Sequence, residues 1–114
     1  MAHKKYNIIL ARHAERMLLS HTKFLTKVSP SAAKRLLEDF RKVINSLANN
    51  PFQFPIADTL DVPNIPPETY RKCLFDGRYK TLFLVEDDNV YIDAVIDCRQ
   101  ENNNLFLNDP LNSE

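Results

Sequence analysis

Residues 70–100 read YRKCLFDGRYKTLFLVEDDNVYIDAVIDCRQ, and this stretch decides the fold. Asp76, Gly77 and Arg78 separate an apolar run at 70–75 from a second at 79–86. Asp87, Asp88 and Asn89 separate the second from a third at 90–98. Aspartate, asparagine and glycine tolerate the left-handed backbone of tight hairpins, so the three runs predict an antiparallel meander with two short turns. The last run alternates. Val90, Ile92, Ala94, Ile96 and Cys98 fall on one face, and Tyr91, Asp93, Val95, Asp97 and Arg99 on the other. The first set is expected against the rest of the core. That leaves Arg99, and by the same reasoning Lys80, on the outer face, with Asp93 and Asp97 sharing the face of Arg99.

Upstream of the meander the period changes twice. Residues 5–10, rich in isoleucine, read as a short strand. From 11 to 27, Ala14, Met17, Leu18, His21, Phe24, Leu25 and Val28 recur at three- and four-residue spacing, one face of a helix. His21 is expected as a partly buried structural histidine on that stripe. The second helix begins after Ser29, a good cap, with Pro30 at its first position. Its stripe is Ala33, Leu36, Leu37, Phe40, Val43, Ile44, Leu47 and Ala48. Lys34, Glu38 and Lys42 lie opposite at i,i+4 spacing, and Pro51 closes the helix. A turn at 27–30 forces the two helices into an antiparallel hairpin. Residues 51–69 carry five prolines, and Phe52, Phe54, Ile56, Leu60 and Ile65 are expected to pin this long loop to the body. The fold class is therefore α+β: an N-terminal strand, a helical hairpin, then a three-stranded meander. One domain is expected over 1–100 with a polar tail at 101–114, where residues 105–107 could dock.

The totals exclude several classes. The 114 residues suffice for one core, and no apolar run approaches the roughly 18 residues of a membrane helix. The basic leader lacks a signal peptide's h-region and cleavage site, so the chain is expected in a cytoplasm and not in a membrane. The single glycine, Gly77, rules out a glycine-rich phosphate loop. His3, His13 and His21 have no partners spaced for zinc, and no metal or cofactor is expected. The acidic turn at 86–89 reads as a hairpin turn and not a calcium loop. A triad of Ser20, His13 and Asp97 has no local support. Cys73 and Cys98 are either core thiols or a disulfide between neighbouring strands. The net charge of zero hides a division. Residues 1–50 hold ten Lys/Arg and three Asp/Glu (+7), and residues 51–114 hold five and twelve (−7). The front half suits an acidic partner or a nucleic acid, although solvated helix faces account for it equally well.

With its order of elements, the chain resembles the RelE/ParE toxins of bacterial type II toxin–antitoxin modules. The resemblance rests on SPSAAKRLLEDF at 29–40, SLANNPF at 46–52, YRKCL at 70–74 with GRYKTLFLV at 77–85, and VYIDAVIDCRQ at 90–100. It spans about residues 5–100, and the long hairpin and proline-bearing loop look more ParE-like. What it implies is a toxin that arrests growth, as in plasmid stabilisation, and is held inactive by an antitoxin. Two modes follow. A ParE-like toxin binds and inhibits DNA gyrase, whereas a RelE-like one cleaves mRNA on the ribosome without a metal. The cleavage mode needs a proton acceptor and cations at the scissile phosphate. By resemblance Arg99 and Lys80 are its candidate catalytic residues, and Arg71, Lys72 and Arg78 the candidate contacts to target or RNA. No tyrosine or histidine follows Arg99, and a lysine of ordinary pKa, about 10.4, is a poor base. Arg99 beside Asp97 can equally be a surface ion pair, and Lys80 a solvated strand lysine. The ParE-like mode is therefore the leading expectation, and a degenerate toxin serving only as a binding module is a third.

Overall fold

The computed structural model describes residues 5–57 and 69–99. Leu60, Ile65, Gln100 and the tail at 101–114 lie outside the described residues. The elements run β1 (Asn7–Leu10), α1 (Arg12–Val28), α2 (Pro30–Asn49), β2 (Arg71–Phe75), β3 (Tyr79–Glu86) and β4 (Asn89–Asp97), with a 3-10 turn at Pro51–Gln53 after α2. The strands form one mixed sheet in the order β1-β4-β3-β2. β1 is parallel to β4, and the meander is antiparallel throughout. The expected α+β fold is the observed one.

Local chemistry sets the joints. The hydroxyl of Ser29 accepts from the Ala32 amide at 3.3 Å, and Pro30 occupies the first turn of α2. One residue therefore both ends α1 and starts α2. At the first hairpin Asp76 and Gly77 have φ of 55° and 61°, the two positive values of a type I′ turn. The Arg78 amide closes that turn on the Phe75 carbonyl at 3.2 Å. Asp87 takes a left-handed φ of 56° at the second turn. There the Asp88 carbonyl accepts from the Asn7 amide at 2.8 Å, which seats β1 beside β4.

The helices cover one face of the sheet. Leu18 and Leu25 of α1, Leu36, Phe40 and Leu47 of α2, and Phe75, Tyr79, Phe83, Val90, Ile92 and Val95 of the sheet share the main core. The expected stripe of α1 is narrower than read: Phe24 and Val28 are 57% and 63% exposed. On α2, Leu37 is exposed, and Lys42 lies 3.8 Å from Asp39. Of the loop residues, Phe54 packs edge-on against Phe83, whereas Phe52 and Ile56 are about half exposed. A bridge from Ile56 to Arg71 ties this segment to the free edge of β2.

Strict alternation fails in β4. Leu82 pairs with Ala94 and Phe83 with Ile92, so Asp93 is an extra residue, a β-bulge. Val90 and Ile92 face the helices as expected, but beyond the bulge the phase reverses. Val95 joins the main core, and Ala94 and Ile96 pack with Leu82, Ala57, Met17 and Tyr70 in a second cluster. Asp93 and Asp97 therefore do not share a face. The cysteines are not neighbours either. Cys73 of β2 pairs with Thr81 of β3, and Cys98 follows β4. Both are free thiols, and burial pushes the Cys73 thiol up to about 11.

Candidate functional site

The bulge sends the Asp97 carboxylate to the helix side of the sheet, opposite Tyr79. The type I′ turn then delivers Arg78 to it. Arg78 Nη2 and Nε donate to Asp97 Oδ2 at 3.0 and 3.3 Å. The Arg99 amide donates to Oδ1 at 3.0 Å, and Arg99 Nε stands 4.0 Å from the same atom. The Cys98 amide donates to the Arg78 carbonyl at 2.7 Å, locking the strand end to the turn. The Asp97 side chain is only 5% exposed. Burial alone raises its pKa, but the bonds from Arg78 and the Arg99 amide, with both positive charges, outweigh this and hold it below the usual carboxylate range. Arg78 is raised in turn, chiefly by its bond to Asp97. Its guanidinium also lies 5.2 Å from the centre of the Tyr79 ring.

α1 supplies the opposite wall. His21 Nε2 lies 2.8 Å from the Val95 carbonyl. A carbonyl only accepts, so Nε2 donates there. The ring centres of His21 and Tyr79 are 5.4 Å apart. Ser20, His21, Phe24, Arg78, Tyr79 and Asp97 enclose a pocket of about 210 Å³. Burial raises the Tyr79 phenol above its ordinary value, with the Arg78 charge opposing. The arrangement offers an anion one partly exposed guanidinium, already engaged by a carboxylate, with the Arg99 side chain beside it, 66% exposed.

The five candidate cations are dispersed. Arg78 and Arg99 meet at Asp97, although Arg99 lies just past β4 and not on its outer face. Lys80 does lie on the sheet face turned from the main core, opposite Ile96, yet it is 2% exposed and not a solvated lysine. The reason is the second cluster, which builds apolar mass around Leu82 and Ile96 on that face. Lys72 is opposite Leu82, diagonal to Lys80, and neither lysine is without an interaction partner. Arg71 is elsewhere. Its Nη1 donates to the Phe54 carbonyl at 2.7 Å and its guanidinium stacks 5.1 Å over Phe52, a brace for the loop. Asp93 accepts from the Tyr70 hydroxyl at 2.7 Å, and burial with that carboxylate pushes the phenol up to about 12. Sequence reasoning missed the pocket residues Ser20, Phe24 and Tyr79, and assigned His21 only a structural place. Helical spacing puts Ser20 and Phe24 one turn apart, but nothing in the sequence aims them at Asp97. Among the described residues no cluster of histidine, cysteine and carboxylate could hold a metal, and no helix is long and apolar enough to cross a membrane.

The architecture has solved counterparts. The chromosomal ParDE toxin–antitoxin system from P. aeruginosa is similar with a TM-score of 0.65 and 15% identity, over 84% of this chain and 98% of that one. The toxin–antitoxin complex RelBE2 from Mycobacterium tuberculosis is similar with a TM-score of 0.53 and 17% identity, over 82% and 91%. At these identities the likeness is one of fold. No curated protein matches in sequence. The pattern of the ParE toxin of the type II toxin–antitoxin system parDE, however, matches residues 8–102, from β1 to beyond Arg99. The chain belongs to the ParE toxin family of type II toxin–antitoxin systems.

Proposed function

We propose that this chain, with residues 1–100 as its working domain, is a bacterial growth-arresting toxin that acts in the cytoplasm in the ParE-like mode. It binds and inhibits a target such as DNA gyrase, is neutralised by a cognate antitoxin, and in this way stabilises the replicon that carries both. One observation supports the non-catalytic mode above the others: the expected cleavage cations are apart. Arg99 sits at the strand end beside a buried carboxylate, and Lys80 is buried on the opposite face of the sheet. Cleavage of RNA without a metal needs a proton acceptor and cations converging on one phosphate, and Asp97 occupies the point where Arg78 and Arg99 converge. A second reading, ribosome-dependent mRNA cleavage, draws on His21, Tyr79 and Arg78 bordering one pocket.

The test is induction of the chain alone in bacteria. The expected outcome is growth arrest with intact mRNA, DNA-damage signalling, and loss of supercoiling by purified gyrase. Early loss of mRNA would move the assignment to the cleavage mode. Normal growth at high expression would leave a degenerate toxin that only binds. Replacing Arg78 and Arg99 together by alanine is expected to weaken target inhibition, and Arg71→Ala to leave it intact in whatever fraction stays folded.

A further inference from the structure

The outward side of α1 carries more apolar surface than its place in the fold explains. Leu19, Phe24 and Val28 are 51%, 57% and 63% exposed on this one helix. Arg16, Leu19, Ser20, Lys23, Phe24 and Lys27 line a shallow hollow of about 450 Å³ there. Arg16, Lys23 and Lys27 form no ion pair among the described residues, and Glu15 is the one acidic residue of α1. A fitting occupant therefore brings apolar side chains and carboxylates together. A second copy docking through the same face would oppose cations to cations. A nucleic acid would satisfy the cations and leave Leu19 and Phe24 without apolar contact.

The chain itself supplies such an object. Residues 100–114 read QENNNLFLNDPLNSE, in which Leu105, Phe106 and Leu107 lie between Glu101 and Asp109. Leu111 and Glu114 follow, and the segment holds no lysine or arginine. Its point of departure is next to the hollow. The Arg99 amide donates to Asp97 Oδ1 at 3.0 Å, and Asp97 lines the pocket that Ser20 and Phe24 share with the hollow. Leu105 is six residues beyond Arg99, a reach of up to about 20 Å in extended chain. Leu19 and Val28 are nine residues apart, only about 14 Å along a helix. A short tether also sets an effective concentration in the millimolar range, so a modest contact suffices. We propose that Leu105, Phe106 and Leu107 fold back onto the outer face of α1, over Leu19 and Phe24, where Glu101 and Asp109 meet the cations of Arg16, Lys23 and Lys27. Seated there, the segment overhangs the Arg78–Asp97 pocket, and any ligand of that pocket must first displace it.

The chain holds no tryptophan, so Phe106→Trp in the full chain places a single emission probe on the segment. We expect blue-shifted emission and acrylamide quenching at least about threefold weaker than in Phe106→Trp/Phe24→Ser, threefold being the protection of a segment docked two thirds of the time. Adding Lys23→Glu/Lys27→Glu should remove most of that protection, and Lys34→Glu/Arg41→Glu, which reverses charge on α2, none of it. The substituted positions on α1 and α2 are exposed, and circular dichroism confirms the fold of each variant. In ¹⁵N spectra, Phe106→Ser should move the amides of residues 19–24 together with those of Arg78 and Asp97. A fully quenched, solvent-like indole in Phe106→Trp alone would overturn the proposal. Protection unchanged by Phe24→Ser would place the segment elsewhere and overturn it as well. Protection that survives the reversal at Lys23 and Lys27 would overturn the charge argument, and shifts that spare Arg78 and Asp97 would overturn the overhang. Protection that fades on dilution would assign the face to the same segment of a second copy and overturn docking within one chain. The proposal concerns the chain by itself: a non-toxic chain with a docked segment defeats the toxin reading alone, and a toxic chain with a free segment defeats this proposal alone.

Discussion

At the scale of single residues the protein keeps one carboxylate where the sheet, the turn and α1 meet. Asp97 is depressed because its partners outweigh its burial, so removing Arg78 leaves a buried charge short of its main counterpart. Arg78→Ala is expected to cost about 2–3 kcal/mol at pH 7, read by urea denaturation. The pH dependence has a definite sign. A carboxyl depressed in the folded state stabilises fully above its unfolded pKa, about 3.9, and that contribution is lost as pH falls through the folded value. The deficit of Arg78→Ala should therefore be full above about pH 5 and narrow on acidification. A deficit independent of pH would assign the loss to packing of the guanidinium on Tyr79. Two other groups invite the opposite change. The Tyr79 and Thr81 hydroxyls are buried without a hydrogen-bond partner among the described residues. Removing an unpartnered buried hydroxyl from a side chain of fixed shape relieves desolvation, so Thr81→Val should stabilise by about 1 kcal/mol. A loss of stability on that change would mean that an ordered water serves the hydroxyl.

Among the elements, the bulge in β4 matters most. Were residues 92–94 paired by strict alternation with Asp93 in the ladder, Val95 would leave the core and Asp97 would turn away from Arg78. Deleting Asp93 leaves Ile92 opposite Phe83 and Ala94 opposite Leu82 in a regular ladder, with Val95 and Asp97 still on the helix side. It should therefore cost about as much as Tyr70→Phe, which removes only the 2.7 Å hydrogen bond at the bulge and is expected to cost about 1–2 kcal/mol. Chemical denaturation of the two variants checks the order. A far larger loss for the deletion would mean that the fold needs the bend of the bulged strand as well as the faces it sets. This is also where reading the sequence ran out. The strands, both hairpins and the Ser29–Pro30 joint were legible because turn chemistry and period are local. The bulge was not: Ile92, Asp93 and Ala94 alternate perfectly on paper, and only the pairing with Leu82 and Phe83 adds the extra residue. Three errors about the site follow from that one step: the face of Asp97, the company of Arg99 and the solvation of Lys80. The pocket at His21 was illegible for a related reason. Its two walls lie more than fifty residues apart in sequence.

For the whole molecule the governing quantity is how charge is divided. The net charge is zero with a pI near 6.8, while β1, α1 and α2 belong to the +7 half of the chain and the rest carries the balancing −7. A molecule with no net charge has no long-range repulsion to keep copies apart, and opposed halves then attract. Screening decides whether that attraction is felt: the Debye length is about 30 Å at 0.01 M salt and about 10 Å at 0.1 M. Near pH 6.8 the chain should therefore associate weakly at about 10 mM NaCl and disperse by about 150 mM. Moving the pH two units either way should disperse it at low salt as well. Static light scattering across that grid is the measurement. Charged and apolar contacts predict opposite slopes, because salt weakens contact between unlike charges but strengthens contact between apolar patches. An apparent mass that grows with added salt would assign the association to the exposed Leu19, Phe24 and Val28 of α1 and would count against charge as the governing quantity. A mass that falls with salt leaves that apolar face unused between copies and assigns the association to attraction between unlike charges.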